Sequence, residues 1–93
     1  MNPEKPVSET LKIVNTLGLH ARAAATFVKL ANRFDCEIFV TKGKTRINGK
    51  SIMGLLMLAA GKGTKIRVEA AGSDASAALA KLSHLVSNGF NEK

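Results

Sequence analysis

The chain has 93 residues and a formal net charge of +7, because 14 lysines and arginines outnumber 7 aspartates and glutamates. This length predicts one small domain and argues against an enzyme with a deep, enclosed pocket. The longest apolar stretch, residues 52–60, is too short to cross a bilayer, and the polar residues 1–10 do not resemble a secretion signal. A single cysteine, Cys36, suits a reducing cytoplasm.

The positive charge is compatible with nucleic acid, an anionic membrane surface or acidic proteins as partners. Tyrosine and tryptophan are absent, so the aromatic platforms on which single-stranded nucleic acids stack are missing. Composition alone leaves the partner open, with a small nucleic-acid-binding domain as the least favoured class.

The first half of the chain predicts a strand followed by a helix. Residues 1–8 are interpreted as a flexible lead-in, and residues 9–93 as the domain. Residues 9–15 alternate, with Leu11 and Ile13 on one side, which is typical of a half-buried strand. From Ala21 the apolar residues recur at helical spacing, which places residue 20 at the start of a helix.

The second half predicts five further elements: strands at 37–42 and 45–48, a short helix at 52–58, a strand at 64–70 and a helix from about 75 to 88. The first two strands flank Gly43 and Lys44 and form a hairpin. Ser51 stands where an N-cap precedes the short helix, and residues 72–74 are predicted to cap the last helix.

The order strand–helix–strand–strand–helix–strand–helix predicts an α+β fold. Because the strands are apolar on one face only, they should form a four-stranded antiparallel sheet. Three helices would cover one face and water the other, giving an open-faced β-sandwich of the order βαββαβα.

His20 is the main candidate for chemistry, because its ring nitrogens are nucleophilic near neutral pH. At the start of a helix it would lie close to unpaired backbone amides that bind anions. Arg22 could donate charge-assisted hydrogen bonds to a phosphoryl group on that ring. The alternative interpretation is a surface histidine beside a solvated arginine.

Ser51 and the helix after it also allow two interpretations. The Ser51 hydroxyl is expected to cap the helix, and the same hydroxyl could be phosphorylated. The helix at 52–58 has few polar residues, so part of it should be buried and part exposed as a docking patch. Met53 and Leu56 are predicted to point outward or to lie at the rim.

No other residue carries a comparable signal. His84 shares a helix face with polar neighbours and is expected to face solvent, and Cys36 has no activating neighbour. The pattern contains neither a metal-binding cluster nor paired carboxylates, and no cofactor is predicted.

Two segments together resemble the HPr family, the histidine-containing phosphocarriers of the bacterial phosphoenolpyruvate-dependent sugar phosphotransferase system. Residues 18–22, GLHAR, resemble its active-site signature, and residues 48–54, NGKSIMG, resemble its regulatory serine segment. His20 and Ser51 are 31 positions apart, as in the family, and the resemblance runs from about Glu9 to the C-terminus.

The resemblance implies a cytoplasmic, monomeric phosphoryl carrier that is itself not an enzyme and neither binds nucleic acid nor inserts into a membrane. Enzyme I would phosphorylate His20, which would pass the group to a sugar-specific IIA component. Arg22 would assist the phosphohistidine, and HPr kinase/phosphorylase would modify Ser51. Met53 and Leu56 match positions at which the family contacts its partners.

One residue departs from the family pattern, since Ala23 stands where proline is usual. Alanine is a good helix former and should preserve the helix, with a slightly looser start. Two related functions stay open: a regulatory module that acts through Ser51, against which the presence of His20 argues, and a carrier of a nitrogen-related phosphotransferase system.

Overall fold

The computed structural model describes residues 5–92, which form seven main elements and a final 3₁₀ turn. They are β1 (Val7–Lys12), α1 (Ala21–Ala31), β2 (Glu37–Lys42), β3 (Thr45–Asn48), α2 (Ile52–Met57), β4 (Lys65–Ala71), α3 (Ala75–Ser87) and the turn Gly89–Asn91. The predicted order βαββαβα is confirmed, and the predicted helix and strand ends differ by only one or two residues from β2 onward.

The sheet has the strand order β1-β4-β2-β3, and every neighbouring pair is antiparallel. Alternate strand residues such as Ile38, Val40 and Val68 are fully buried, and they form one core cluster with helix residues such as Phe27 and Leu82. The residues between them face solvent, so the predicted open-faced sandwich is confirmed.

The first strand begins earlier than predicted. Val7 pairs with Ala70 and Ser8 with Glu69, so these two residues belong to the sheet and not to a lead-in. The polar composition of residues 1–8 was misleading, because an edge strand is held by backbone hydrogen bonds and needs few apolar side chains. The strand also ends at Lys12 instead of Asn15. Residues 1–4 of the predicted lead-in lie outside the described residues.

Asp74 precedes α3 as predicted, but its side chain does not cap that helix. Its carboxylate instead accepts hydrogen bonds from the backbone N–H groups of Asp35 and Cys36, at 2.8 and 2.9 Å. These bonds tie the start of α3 to the segment before β2 and lower the pKa of Asp74. Burial and the neighbouring Asp74 raise the pKa of the Cys36 thiol to about 11, in agreement with the absence of a reactive thiolate.

Two lysines bind carbonyl oxygens that follow the first two helices, Lys50 in the turn after α1 and Lys42 at the end of α2. Lys50 Nζ donates to the carbonyl oxygen of Phe34 at 2.7 Å, just beyond α1. Lys42 Nζ donates to the carbonyl oxygen of Leu58 at 3.0 Å, at the end of α2. At the end of α2, the ammonium group of Lys42 satisfies a carbonyl group that has no partner inside the helix and complements the helix dipole.

The loop before α1 lies directly against the segment after α2. Leu19 N–H donates to the carbonyl oxygen of Ala60 at 2.8 Å. Gly18 has a φ of +68°, and a Cβ added there would lie 2.6 Å from the same oxygen. Only glycine permits both this backbone conformation and this close approach. The contact therefore fixes His20 relative to α2.

Gly18→Ala should lower the free energy of unfolding more than Gly43→Ala. Both glycines are left-handed, with φ of +68° and +58°, but an added Cβ at Gly43 meets nothing within 4 Å. Both variants carry conformational strain of about 1–2 kcal/mol, and Gly18→Ala adds an overlap of about 1–3 kcal/mol. Urea unfolding measures the difference. Equal losses in the two variants would contradict the close packing of Gly18 on Ala60.

Candidate functional site

His20 is the N-cap residue of α1, as predicted. Its backbone is extended (φ −79°, ψ 179°), and its carbonyl oxygen accepts the first helical hydrogen bond, from Ala24 N–H at 2.8 Å. The imidazole makes no capping hydrogen bond to the helix amides, and its side chain is 23% exposed. The ring therefore lies at the helix start, partly open to solvent and held by a different partner.

That partner is Glu92, which sequence reasoning missed. Its Oε2 lies 2.5 Å from His20 Nε2, and its Oε1 accepts a hydrogen bond from Asn15 Nδ2 at 2.9 Å. Arg22 Nε lies 3.8 Å from the same Oε2. One carboxylate thus contacts three residues that precede it in the sequence by as many as 77 positions.

A left-handed turn after α3 brings Glu92 back to His20. Gly89, Phe90 and Asn91 have φ values of +65°, +56° and +65° in succession. Such a conformation is costly for residues other than glycine. Burial of the Phe90 side chain, which is 3% exposed, and a hydrogen bond from Asn88 Nδ2 to Asn91 Oδ1 at 2.8 Å hold it in place. Gly89 after the last helix was the one signal in the sequence for this reversal.

Asn15 is a buried residue that contacts Glu92, and sequence reasoning missed it as well. It is 6% exposed, and its Nδ2 donates both to the carbonyl oxygen of Gly18 at 2.7 Å and to Glu92. Since both neighbours are acceptors, the orientation of the amide is determined. Its Oδ1 is buried and has no hydrogen-bond partner among the described residues. Asn15 thereby connects the loop before α1 to the C-terminal turn.

The surroundings of Glu92 lower the pKa of its carboxyl group. The hydrogen bond from Asn15 is the largest cause, followed by the hydrogen bond and charge of His20 and the charge of Arg22, while desolvation opposes them. Glu92 is therefore a carboxylate at neutral pH, and a carboxylate can only accept hydrogen bonds. The Nε2 of His20 must then carry the proton. Within residues 5–92, no hydrogen-bond partner is found for Nδ1.

Arg22 is only loosely held. Its side chain is 76% exposed, and its ion pair with Glu92 is long, at 3.8 Å. A cleft of about 370 Å³ lies beside it, lined also by Thr16, Thr26 and Asn91. The guanidinium group therefore has room to move toward an anion bound at His20.

Ser51 is the N-cap of α2, and its Oγ accepts a hydrogen bond from Gly54 N–H at 3.0 Å. Met53 is 68% exposed, whereas Leu56 is partly buried against the core. Leu17 and Met57, which were not singled out from the sequence, are also exposed, at 64% and 73%. His84 is exposed, as expected from its polar helix face.

Within residues 5–92, no three histidine, cysteine or acidic side chains are grouped so that they could hold a metal ion. Over the same residues, no helix is long and apolar enough to span a membrane.

Known proteins resemble this chain in sequence and in fold. Residues 7–88 match the family model described as the PTS HPr component phosphorylation site. The phosphocarrier protein HPr of Neisseria meningitidis serogroup A is 48% identical over 86 residues, which cover 92% of this chain and 97% of the relative. The crystal structure of HPr-C-His from Thermoanaerobacter tengcongensis has a TM-score of 0.90 at 38% identity and covers 94% of this chain and 98% of its own.

The crystal structure of an HPr from Bacillus anthracis superposes with a TM-score of 0.84 at 43% identity, covering 87% of this chain and 96% of its own. The open four-stranded sheet, together with this family match and these relatives, identifies a small phosphocarrier domain. The chain belongs to the HPr family, the phosphocarrier proteins of the phosphotransferase system.

Asn15→Ala should return the pKa of Glu92 toward its ordinary value, because the hydrogen bond from Asn15 is the largest cause of the shift. Because the pKa of Glu92 is lowered in the folded protein, its contacts stabilise the turn at pH values above the ordinary glutamate pKa. This stabilisation is lost as the pH falls through the lowered pKa. NMR titration of the Glu92 carboxyl carbon measures this. Asn32→Ala, at the exposed end of α1, is the control; an unchanged Glu92 pKa in Asn15→Ala would contradict the assignment.

Proposed function

We propose that this protein carries a phosphoryl group on His20, receives it from enzyme I and donates it to a sugar-specific IIA component. One observation supports this most directly: Nε2 of the imidazole at the N-cap of α1 is bound to Glu92, while Nδ1 has no hydrogen-bond partner within residues 5–92. The lone pair of Nδ1 attacks phosphorus as the donor bond breaks. The group returns by the reverse step to the next acceptor, so the protein acts as a stoichiometric carrier and not as an enzyme.

Arg22 would stabilise the phosphorylated ring. Its guanidinium is exposed and makes only a 3.8 Å contact with Glu92. A phosphoryl group carries more negative charge than a carboxylate and forms stronger bidentate hydrogen bonds with arginine. Phosphorylation of His20 would therefore draw Arg22 from Glu92 to the new anion, where it stabilises charge during transfer.

The partner surface would be the apolar patch next to His20, formed by the exposed side chains Leu17, Ile52, Met53 and Met57 together with Leu56 at its rim. Leu17 belongs to the loop that Ala60 holds against the end of α2, so the patch and the imidazole are parts of one surface. Exposed apolar side chains in this number are typical of a docking site. A site on an open surface suits a group that two different proteins must reach in turn.

The proposed role also bears on the oligomeric state, the need for a cofactor and the location of the protein. A carrier that passes its group between successive protein partners acts as a monomer with neither cofactor nor nucleic acid bound. The reduced, buried Cys36 is compatible with the cytoplasm.

His20→Ala should abolish labelling of the protein by enzyme I and labelled phosphoenolpyruvate. In the unmodified protein the label should be acid-labile and alkali-stable, as expected for a phosphorus–nitrogen bond. His84→Ala is the matched control, because His84 is exposed on α3 and has no part in the site. Label that persists in His20→Ala, or that resists acid, would exclude this function.

Ser51 would be the regulatory position, modified by HPr kinase/phosphorylase. Its hydroxyl caps α2 and lies directly before Ile52 and Met53 of the docking patch. A phosphoryl group there adds nearly two negative charges at the edge of that patch. The cap can accept this charge without refolding α2, because anions are favourable at the start of a helix. The effect would therefore fall on partner binding.

Ser51→Asp should slow the phosphorylation of His20 by enzyme I about tenfold, through a negative charge at the partner surface. Ser76→Asp adds the same charge on an exposed position of α3 and should leave the rate unchanged. Rates come from single-turnover labelling, and circular dichroism checks folding. Equal rates in the two variants would remove the regulatory role of Ser51.

A further inference from the structure

We propose that Glu92 is a positioning residue for phosphoryl transfer. Its carboxylate holds the Nε2–H group of His20, so that the phosphoryl group enters and leaves through Nδ1 while the ring proton stays where it is. This inference rests on the proposed function and assigns a role to the C-terminal turn, which lies outside both sequence motifs of the family.

The carboxylate is fixed from both sides. Oε1 is held by Asn15 Nδ2 at 2.9 Å, and Oε2 lies 2.5 Å from His20 Nε2. Asn15 is buried, and the turn that carries Glu92 is anchored by the buried Phe90. A surface glutamate in solvent has no such restraints. The contact with His20 is therefore a property of the folded chain and not of a mobile side chain.

This contact selects one ring nitrogen. Nε2 carries the proton and has no free lone pair, and a negatively charged carboxylate occupies the direction from which phosphorus would approach. Nδ1 keeps its lone pair and has no hydrogen-bond partner among residues 5–92. Loss of the carboxylate would allow the ring to change tautomer and expose both nitrogens.

The same contact balances charge during the reaction. When the lone pair of Nδ1 forms the N–P bond and the donor leaves with its electron pair, the ring keeps the Nε2 proton and becomes a phosphoimidazolium. The adjacent carboxylate compensates that positive charge. When the group leaves, the electron pair of the N–P bond returns to Nδ1 and the ring is neutral again. No proton has to move in either direction.

The test uses phosphoramidate, a small donor that phosphorylates imidazoles without any partner protein. Its P–N bond breaks as the new N–P bond forms, and ammonia leaves from its protonated amino group. NMR of the isotope-labelled imidazole distinguishes Nδ1- from Nε2-phosphohistidine at His20. The proteins compared are the unmodified chain, Glu92→Ala, Glu92→Gln and the control Glu9→Gln. Glu9 is also a hydrogen-bonded carboxylate, which accepts from Ser83 Oγ at 2.8 Å.

In the unmodified chain and in Glu9→Gln, nearly all of the product should be on Nδ1. In Glu92→Ala, the ratio of Nε2 to Nδ1 product should rise about tenfold, the effect of losing one charge-assisted hydrogen bond. Glu92→Gln should raise the same ratio, but by less. The glutamine amide oxygen can still accept from Nε2–H, but its NH₂ group then faces the NH₂ group of Asn15, and two donors cannot bond to each other. This graded response is not expected if Glu92 only stabilises the fold.

An Nε2 to Nδ1 ratio in Glu92→Ala and Glu92→Gln equal to that of the unmodified chain would overturn the inference, and so would a substantial Nε2 product in the unmodified chain. Neither result would exclude His20 as the phosphoryl carrier, because that role is tested separately by labelling with enzyme I and phosphoenolpyruvate; Nε2 product in the unmodified chain would change only the ring nitrogen that reacts. Thermal unfolding of each variant confirms that the ratios come from folded protein.

Discussion

The backbone of Gly18 and Leu19 lies directly against Ala60, and the geometry of the site depends on this contact. Leu19 N–H donates to the Ala60 carbonyl oxygen, while the absence of a side chain at Gly18 allows the two segments to touch. The loop therefore enters α1 at a fixed angle and presents His20 beside α2. The proposed phosphoryl acceptor and the proposed docking patch would form one surface because two backbones meet, and not because their residues are close in sequence.

Backbone contacts position the candidate site of this protein, and the site itself contains very few polar side chains. One imidazole, one exposed guanidinium and one carboxylate make up the polar site, and the carboxylate is held by a buried amide. This economy suits a carrier, which has to offer its group to two partners and cannot enclose it. The catalytic groups that a transfer needs beyond charge stabilisation can come from the partner on either side.

Elements with a strong local pattern could be predicted from the sequence. The alternation of Lys65–Ala71 reflects one buried and one exposed face, and the cap at Ser51 depends only on the four residues that follow it. The start of β1 was misplaced because its pairing with β4 uses backbone groups. The predicted cap at Asp74 was wrong because two backbone amides distant in sequence, at residues 35 and 36, compete for the carboxylate. Both errors arose because the hydrogen-bond partners are distant in sequence and therefore leave no trace in the local pattern.

The residues of the candidate site show the same difference between local motifs and contacts that form only on folding. His20, Arg22 and Ser51 belong to short motifs and could be identified by chemistry and spacing. Asn15 and Glu92 reach the ring only after the chain has folded, and in the sequence they are an ordinary asparagine at the end of a strand and a glutamate in a polar tail. Of the groups that hold the imidazole, the sequence predicted none, because all of them are tertiary contacts.

Part of the positive charge of the chain stabilises its own fold. The ammonium groups of Lys42 and Lys50 bind carbonyl oxygens at 3.0 and 2.7 Å, so they belong to the architecture as much as a cap does. Acetylation would remove both the charge and most of the donors of such a group. At an ordinary surface lysine that change is neutral for folding, but at these two it would loosen the turn after α1 and the end of α2, the helices that begin at His20 and Ser51.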